Sequence, residues 1–420
     1  MNNLDSICIQ SGYNPKDGEA RTLPIYQSTT FVYKKAEDMA ALFDLKKDGF
    51  FYSRIANPTC DALEKKMAEL DGAVGALATA SGQAATLITV LNVCSCGDHI
   101  VSMATIYGGT HNLLAVTLKK MGITCTFLNP NCTEDELNDA IQDNTKIIFG
   151  ETFANPAMNI LDFDKIAKVA KKNNVLFVVD NTLATAVITK PGDFGANVII
   201  YSTTKYAEGH ASSIGGMVVD MGNFTYDKER YPDFSTPDES YHGLVYNDLG
   251  KLAFITKARV QLMRDLGIYM SANTAYLTNL GLETLAMRME KHSSNALAVA
   301  TYLENNDKVE WVKYPYLESG KDFNLAKKYM KMGSGVLVFG LKGDRSTAEK
   351  FIYNLEMIKN VTHVADIRSC ILHPASTTHR QLSQEALVNA GISENLIRLS
   401  VGCENVEDII SDIASSLEKL

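Results

Sequence analysis

Between about Thr59 and Met221 the chain alternates short apolar runs with amphipathic stretches, and this rhythm constrains the fold more than any other feature. Strands that are apolar on both faces must be covered on both faces, which is the pattern of parallel strands layered with helices. Asp61 to Leu70 reads as an amphipathic helix stopping at Gly72, and Val74 to Ala80 as a strand. Ser81-Gly82-Gln83 then turns the chain into a helix over Ala84 to Asn92. The unit repeats with a strand at His99 to Met103, a turn at Tyr107-Gly108-Gly109 and a helix from Asn112 to Met121 that ends at Gly122. Strands at Ile123 to Leu128 and Lys146 to Glu151, with helices at Glu134 to Gln142 and Asp162 to Asn173, continue it. The expected class is α/β, with a doubly wound, mostly parallel sheet.

Two β-branched runs close the series, Val175 to Val179 and Asn197 to Tyr201. The first is followed by Asp180-Asn181-Thr182 and the second by Ser202-Thr203-Thr204-Lys205, so an acid and a lysine stand at the ends of successive strands. Each has an ordinary reading alone, the Asp as a cap or turn former and the Lys as a solvated surface group. Together they suit the two ends of a pyridine aldehyde. The acid keeps the ring nitrogen protonated while the amine forms an imine, which is what pyridoxal phosphate (PLP) needs.

Other segments offer the remaining parts of such a site. Ser81-Gly82-Gln83 supplies backbone N–H groups at a helix start, suited to a phosphate, although a plain strand-to-helix connection reads the same way. Ser202 and Thr204 lie close enough along the chain to Lys205 to add hydroxyls to that phosphate. Tyr107 sits at a strand-to-helix junction, where its ring either lies over a planar ligand or fills the rim of the core. Tyr52-Ser53-Arg54 precedes Asn57-Pro58-Thr59 in a segment with no evident core of its own. Its hydroxyl and guanidinium suit a phosphate, in an arm reaching a neighbouring subunit or else in a solvated loop. Arg398 lies inside the apolar run Leu396 to Val401 and needs a partner, a substrate carboxylate or an internal acid. Asn155-Pro156 ends another strand on the same side, or forms an Asx turn.

After Met221 the rhythm changes. Asn223 to Asn247 is polar but carries recurring Tyr and Phe, which marks a long ordered excursion. Helical patterns follow over Lys251 to Leu266 and Ala272 to His292, then strand candidates at Val309 to Tyr314, Gly335 to Leu341 and Leu396 to Val401. These outline a smaller α/β C-terminal domain.

A net charge of −9 argues against binding nucleic acid or anionic membrane through bulk electrostatics. No window reaches roughly 18 uninterrupted apolar residues, and Met1 to Gln10 lacks the basic-then-apolar pattern of a secretory signal, so the expectation is a cytoplasmic protein. The eight cysteines are scattered, as reduced thiols are. Cys94-Ser95-Cys96 with His99 has no second ligand pair at zinc-like spacing and reads as helix-end packing, so no metal is expected. A noncatalytic nucleotide-binding protein is the alternative of another class, since such sheets host many functions. The chain has neither a GxGxxG after its first strand nor a GxxxxGK string.

Taken in order, Tyr52-Ser-Arg with Asn57-Pro-Thr59, Ala80 to Ala84, Tyr107-Gly-Gly, Glu151-Thr with Asn155-Pro, Val179 to Thr182, Ser202 to Lys205, Gly209-His210 and Arg398 to Gly402 resemble the cysteine/methionine-metabolism family of PLP enzymes. The likeness runs from about Ile9 to the C-terminus. Arg21 to Thr30, Tyr241 to Gly243, Lys257 to Arg264, His373 to His379 and the segment Asn223 to Asn247 look most like its O-acetylhomoserine sulfhydrylase branch. The resemblance implies a PLP-dependent transferase of fold type I, with an arm over 1–58, a large domain over 59–260 and a C-terminal domain over 261–420. Such enzymes are usually homotetramers built from two tight dimers, with small-molecule substrates: here O-acetylhomoserine and sulfide or a thiol.

By the same resemblance Lys205 holds the cofactor and acts as the base, Asp180 pairs with the ring nitrogen and Tyr107 stacks on the ring. Ser81, Gly82, Gln83, Ser202 and Thr204 hold the phosphate, helped by Tyr52 and Arg54 of a neighbouring subunit. Asn155 and Arg398 hold the substrate carboxylate. Cystathionine γ-synthase, cystathionine γ-lyase and methionine γ-lyase activities share the cofactor residues and remain alternatives. Gly109 stands where methionine γ-lyases typically place a cysteine, which disfavours dedicated methionine breakdown. Ala365-Asp366-Ile367-Arg368 departs from the Gly-Asp-Ala-Lys-like stretch of relatives, so the wall near the substrate is expected to differ.

Overall fold

A computed structural model describes residues 3–378, 380 and 391–420, so His379 of the His373 to His379 motif lies outside the described residues. Strands β1 (Gly75–Thr79), β2 (His99–Met103), β3 (Thr124–Leu128), β4 (Thr145–Glu151), β5 (Leu176–Asp180), β6 (Val198–Tyr201) and β7 (Gly216–Asp220) form one sheet in the order β1-β7-β6-β5-β4-β2-β3. The pairs from β6 to β3 are parallel, while β7 runs antiparallel to both β1 and β6. The apolar runs became strands because both faces are covered: β2, β4, β6 and β7 are buried at every residue. β7 was not singled out in the sequence. It follows β6 through turns, because an antiparallel neighbour needs no crossover helix.

Local chemistry sets the helix ends that open toward the sheet. Asn57 accepts from Thr59 N at 2.9 Å to start the helix Pro58–Asp71, and Gly72, at φ 72°, closes it. Ser81 accepts from Ala84 N at 3.1 Å and starts Gly82–Val93 directly after β1, a cap worth about 1 kcal/mol. The expected Asn112 to Met121 helix is an α-turn over Gly108–Asn112 continuing as a π segment and a 3₁₀ turn. The pattern from Ala272 to His292 is broken at Thr284 into Ala272–Glu283 and Leu285–Glu304.

A second sheet contains β8 (Val309–Lys313), β9 (Val336–Leu341), β10 (Lys359–Asn360), β11 (Cys370–Leu372) and β12 (Leu396–Ser400), in the order β10-β11-β12-β9-β8. The helix Leu285–Glu304 serves both cores. Its Leu285, Ala286 and Met289 join the cluster of the large sheet, while Ala296, Val299, Ala300 and Leu303 join that of the smaller one. The aromatic excursion after Met221 is ordered as expected. Tyr226 stacks on Phe234 at 3.9 Å, and the Tyr231 hydroxyl donates to Lys146 O and accepts from Leu176 N, pinning it to β4 and β5. Among the described residues no helix is long and apolar enough to cross a membrane.

Candidate active site

The carboxyl ends of β4, β5 and β6 and the start of the helix Gly82–Val93 meet at one place. Asp180 ends β5 and is the register partner of Glu151 at the end of β4. Its Oδ1 accepts from Thr182 N at 2.9 Å, and the Thr182 hydroxyl accepts from Ser202 N at 2.8 Å. Thr182 therefore ties the acid to the segment carrying Lys205. Gly82 closes against the same segment: a Cβ there would stand 2.7 Å from Ser202 Cβ. A side chain on Gly109 would strike both Gln83 Nε2 and the Tyr107 ring, so these two residues adjoin. The Tyr107 ring itself is exposed.

Glu151 organises this end of the sheet. Its Oε1 accepts from Tyr107 N at 2.6 Å, and its carboxylate also accepts from the Asn155 backbone. Burial raises both carboxyls above their usual range, and the Asp180 charge pushes Glu151 higher still. Thr204 spends its hydroxyl on the Gly215 backbone, accepting from N at 3.1 Å and donating to O at 3.2 Å.

Across from these strand ends lies β12. Arg398, buried at 8% exposure, donates from Nη1 to Asn155 Oδ1 at 3.4 Å and from Nη2 to His363 O at 3.0 Å. Lys205 Nζ lies 3.5 Å from His363 Nδ1. Burial, and next the Arg398 charge, push the Lys205 amine down to about 8, so a substantial fraction is neutral near physiological pH. The predicted Lys205, Asp180, Ser81, Gly82, Gln83, Ser202, Tyr107, Asn155 and Arg398 are thus linked through direct contacts and shared partners. Tyr52 and Arg54 contact other residues: the Arg54 guanidinium donates to Arg264 O and lies 5.1 Å from the Tyr52 ring centroid. Glu151, Thr182 and His363 belong to the arrangement without having been singled out. Glu151 had a sequence signal in its Glu151-Thr with Asn155-Pro spacing, whereas His363 had none. Cys94 and His99 are accounted for by packing: Cys94 is buried, and His99 bonds Thr145 and Thr126 hydroxyls at 2.8 and 2.9 Å.

A pyridoxal phosphate fits these residues. The buried Gln83 Oε1 and Thr203 Oγ1 have no hydrogen-bond partner among the described residues. Gly82 leaves the backbone at the helix start free of a side chain, and an acid and a low-pKa amine stand at adjacent strand ends.

Comparison with known proteins agrees with this chemistry. The sequence model of the Cys/Met metabolism PLP-dependent enzymes matches residues 5–418. An O-acetyl-L-homoserine sulfhydrylase of Corynebacterium glutamicum is 43% identical over 94% of this chain and 92% of its own length. One from Leptospira meyeri is 40% identical over 99% of this chain and 97% of its own length. A crystal structure of a Campylobacter jejuni protein assigned as an O-acetylhomoserine (thiol)-lyase, with N'-pyridoxyl-lysine-5'-monophosphate at its position 205, superposes with a TM-score of 0.96. It is 38% identical, and the match covers 99% of this chain and 100% of that one. With its site built at the strand ends around Asp180 and Lys205 and the family pattern spanning almost its whole length, this chain belongs to the Cys/Met metabolism PLP-dependent enzymes.

Proposed function

We propose that this enzyme replaces the γ-acetoxy group of O-acetyl-L-homoserine with sulfide or methanethiol, giving homocysteine or methionine and acetate. The observation that carries the reading is Arg398, buried, held by Asn155 and close enough to Lys205 to depress its amine. A guanidinium so placed suits a bidentate α-carboxylate and sets the substrate's Cα beside the base. The names carried by relatives about 40% identical over nearly the whole chain support the same substrate.

Bound pyridoxal phosphate supplies the electron sink for the pair left at Cα. The backbone of Gly82 and Gln83, with Ser202, and with Thr204 once its hydroxyl turns from Gly215 O, would take the phosphate, and Asp180 would keep the proton on the pyridine nitrogen. Arg398 and Asn155 orient the amino acid. The neutral form of Lys205, made more accessible because burial lowers its amine to about 8, removes the Cα proton, and once that proton has been given up the same amine removes a Cβ proton. Tyr107 assists departure of acetate as the Cγ–O bond breaks, a C–S bond forms at Cγ, and Lys205 returns the protons to Cβ and Cα.

The assembly that suits this site is a homotetramer of two dimers, with Tyr52 and Arg54 of one subunit's arm, residues 1–58, completing the phosphate site on the 59–260 domain of its neighbour. Residues 261–420 form the C-terminal domain. Eight free thiols fit the reducing cytoplasm. The test is a steady-state comparison of acetyl-, succinyl- and phosphohomoserine, each with sulfide and with methanethiol, alongside methionine and cystathionine alone. The acetyl ester is expected to react fastest. Thiol release from methionine alone, with no homocysteine from the acetyl ester, would overturn the proposal.

A further inference from the structure

His363 is joined to the site from two directions. Its ring Nδ1 lies 3.5 Å from Lys205 Nζ, and its carbonyl accepts from Arg398 Nη2 at 3.0 Å. The loop that carries it is fixed at several points. Ala365 holds a left-handed φ of 68°, unfavourable for a residue with a Cβ, and its N–H donates to Ser400 Oγ at 2.8 Å. Ile367 N donates to Gly209 O at 2.8 Å, and Arg368 Nη2 donates to His210 O at 2.7 Å. These bonds clamp the loop between the Lys205 segment and β12. The loop that carries the His363 ring is therefore held in place beside Lys205.

The ring also has an unused nitrogen. Among the described residues the buried Nε2 has no hydrogen-bond partner, and Asp366 Oδ2 is 3.7 Å away. With the neutral ring's proton on Nε2, Nδ1 is a free acceptor aimed at the Lys205 amine. The charged and titratable groups around it are Lys205 after β6, Asp366 in its own loop, Arg398 on β12, Glu208 beyond Lys205, and the Cys370 thiol on β11, which donates to His363 O.

We propose that His363 is a further catalytic residue that relays protons to and from Lys205 Nζ. The proposal rests on the γ-replacement reading, which asks a single amine to take a proton from Cα and another from Cβ. After the first abstraction the Lys205 ammonium breaks an N–H bond and the proton forms a new one at His363 Nδ1. The lone pair returns to Nζ, and the positive charge moves to the ring beside Asp366. The reverse transfer restores the ammonium for reprotonation. Only protons move, so no oxidant or reductant is required. Burial and the neighbouring lysine hold the imidazole below its ordinary pKa, so it starts neutral with Nδ1 free, and the proton it takes from Lys205 is held transiently and passed on rather than stored.

The first test needs no turnover. In cofactor-free protein, the carbethoxylation rate of each histidine against pH, read by peptide mass spectrometry, follows the neutral imidazole. Lys205→Ala removes a nearby positive charge and is expected to move the His363 midpoint upward while His99 stays in place. An unmoved His363 midpoint overturns the relay. The second test compares His363→Asn with His363→Ala in holoenzyme. Asparagine can accept the same hydrogen bond but cannot hold the proton, so both variants are expected to lose roughly 10²-fold in kcat. Full activity of His363→Asn would show that only the hydrogen bond matters and would refute the relay. Failure of the wild-type chain to form homocysteine counts instead against the assigned reaction, which keeps the two failures distinct.

Discussion

Glu151 and Asp180 end adjacent parallel strands as register partners, and on the side away from Asp180 the Glu151 carboxylate accepts from Tyr107 N at 2.6 Å. It accepts from the Asn155 backbone as well, so one buried acid sets the positions of Tyr107 and of Asn155. Glu151→Gln replaces one accepting oxygen by a donor that would face an N–H group. Leaving a buried hydrogen-bonding group unsatisfied costs about 1–3 kcal/mol, so kcat/KM is expected to fall roughly fivefold to hundredfold. Asp180→Asn removes the charge proposed to hold the ring proton and is expected to cost more than Glu151→Gln. Steady-state kinetics of both variants with O-acetylhomoserine and sulfide check the order, and a milder Asp180→Asn would reverse these roles.

Lys205 gives a prediction in pH. Its amine is pushed down to about 8, against about 10.4 for an ordinary lysine. Only the neutral amine attacks an aldehyde, so uptake of pyridoxal phosphate by cofactor-free protein should accelerate as pH rises and level off above about 8. Stopped-flow absorbance measures this directly. Lys205→Ala should remove the rapid phase and reduce turnover by at least roughly 10³-fold. A midpoint at the ordinary lysine value would show that the site does not depress the amine.

Much of this arrangement was legible because it sits where periodicity changes. Asp180 and Lys205 stand at the ends of runs that are apolar on both faces, and a polar residue there marks a strand's carboxyl end. Ser81 and Asn57 carried the chemistry of helix caps and serve as caps. β7 was not legible, since an antiparallel strand reached by turns breaks the strand-helix rhythm. β10 and β11, of two and three residues, are too short to show a period. His363 lies 158 residues from Lys205 in sequence and meets it only because β11 and β12 pair beside the larger sheet. Tyr52 and Arg54 were legible as a phosphate-binding pair by resemblance, yet within one chain Arg54 turns to Arg264 O.

Beneath the site a second buried acid gives a stability prediction. Asp71 accepts from the Tyr201 hydroxyl, which in turn accepts from Asn181 Nδ2 at 3.1 Å, and Asn181 Oδ1 accepts from Thr152 at 2.6 Å. Burial pushes Asp71 up to about 7, and Asp220 likewise to about 7. An acid whose folded pKa is raised keeps its proton in the native state after the unfolded chain has lost it. Stability is therefore full below the unfolded value, near 3.8, and falls as pH rises toward about 7. Asp71→Asn keeps an acceptor for Tyr201 but removes the titration. Its melting temperature should fall less than the wild type's between these limits in a calorimetric pH series, and equal slopes would exclude Asp71 as a source.

The arm gives the prediction that reaches beyond one chain. If Tyr52 and Arg54 serve the neighbour's phosphate, each complete site draws Lys205 from one subunit and Arg54 from the other. Arg54→Ala and Lys205→Ala chains would then be impaired separately, Lys205→Ala most severely. Mixing them after dissociation creates dimers in which one site has both defects and the other has none. With random pairing in a symmetric dimer, about a quarter of all sites become intact. Activity of the mixture should therefore rise to about a quarter of wild type, above the mean of the separate variants, provided the Arg54→Ala chain alone falls well below that level. The contrary arrangement, Arg54 acting within its own chain, leaves every site with at least one defect in any pairing. Activity of the mixture would then stay at the mean of its components, while native mass spectrometry confirms that the subunits have exchanged.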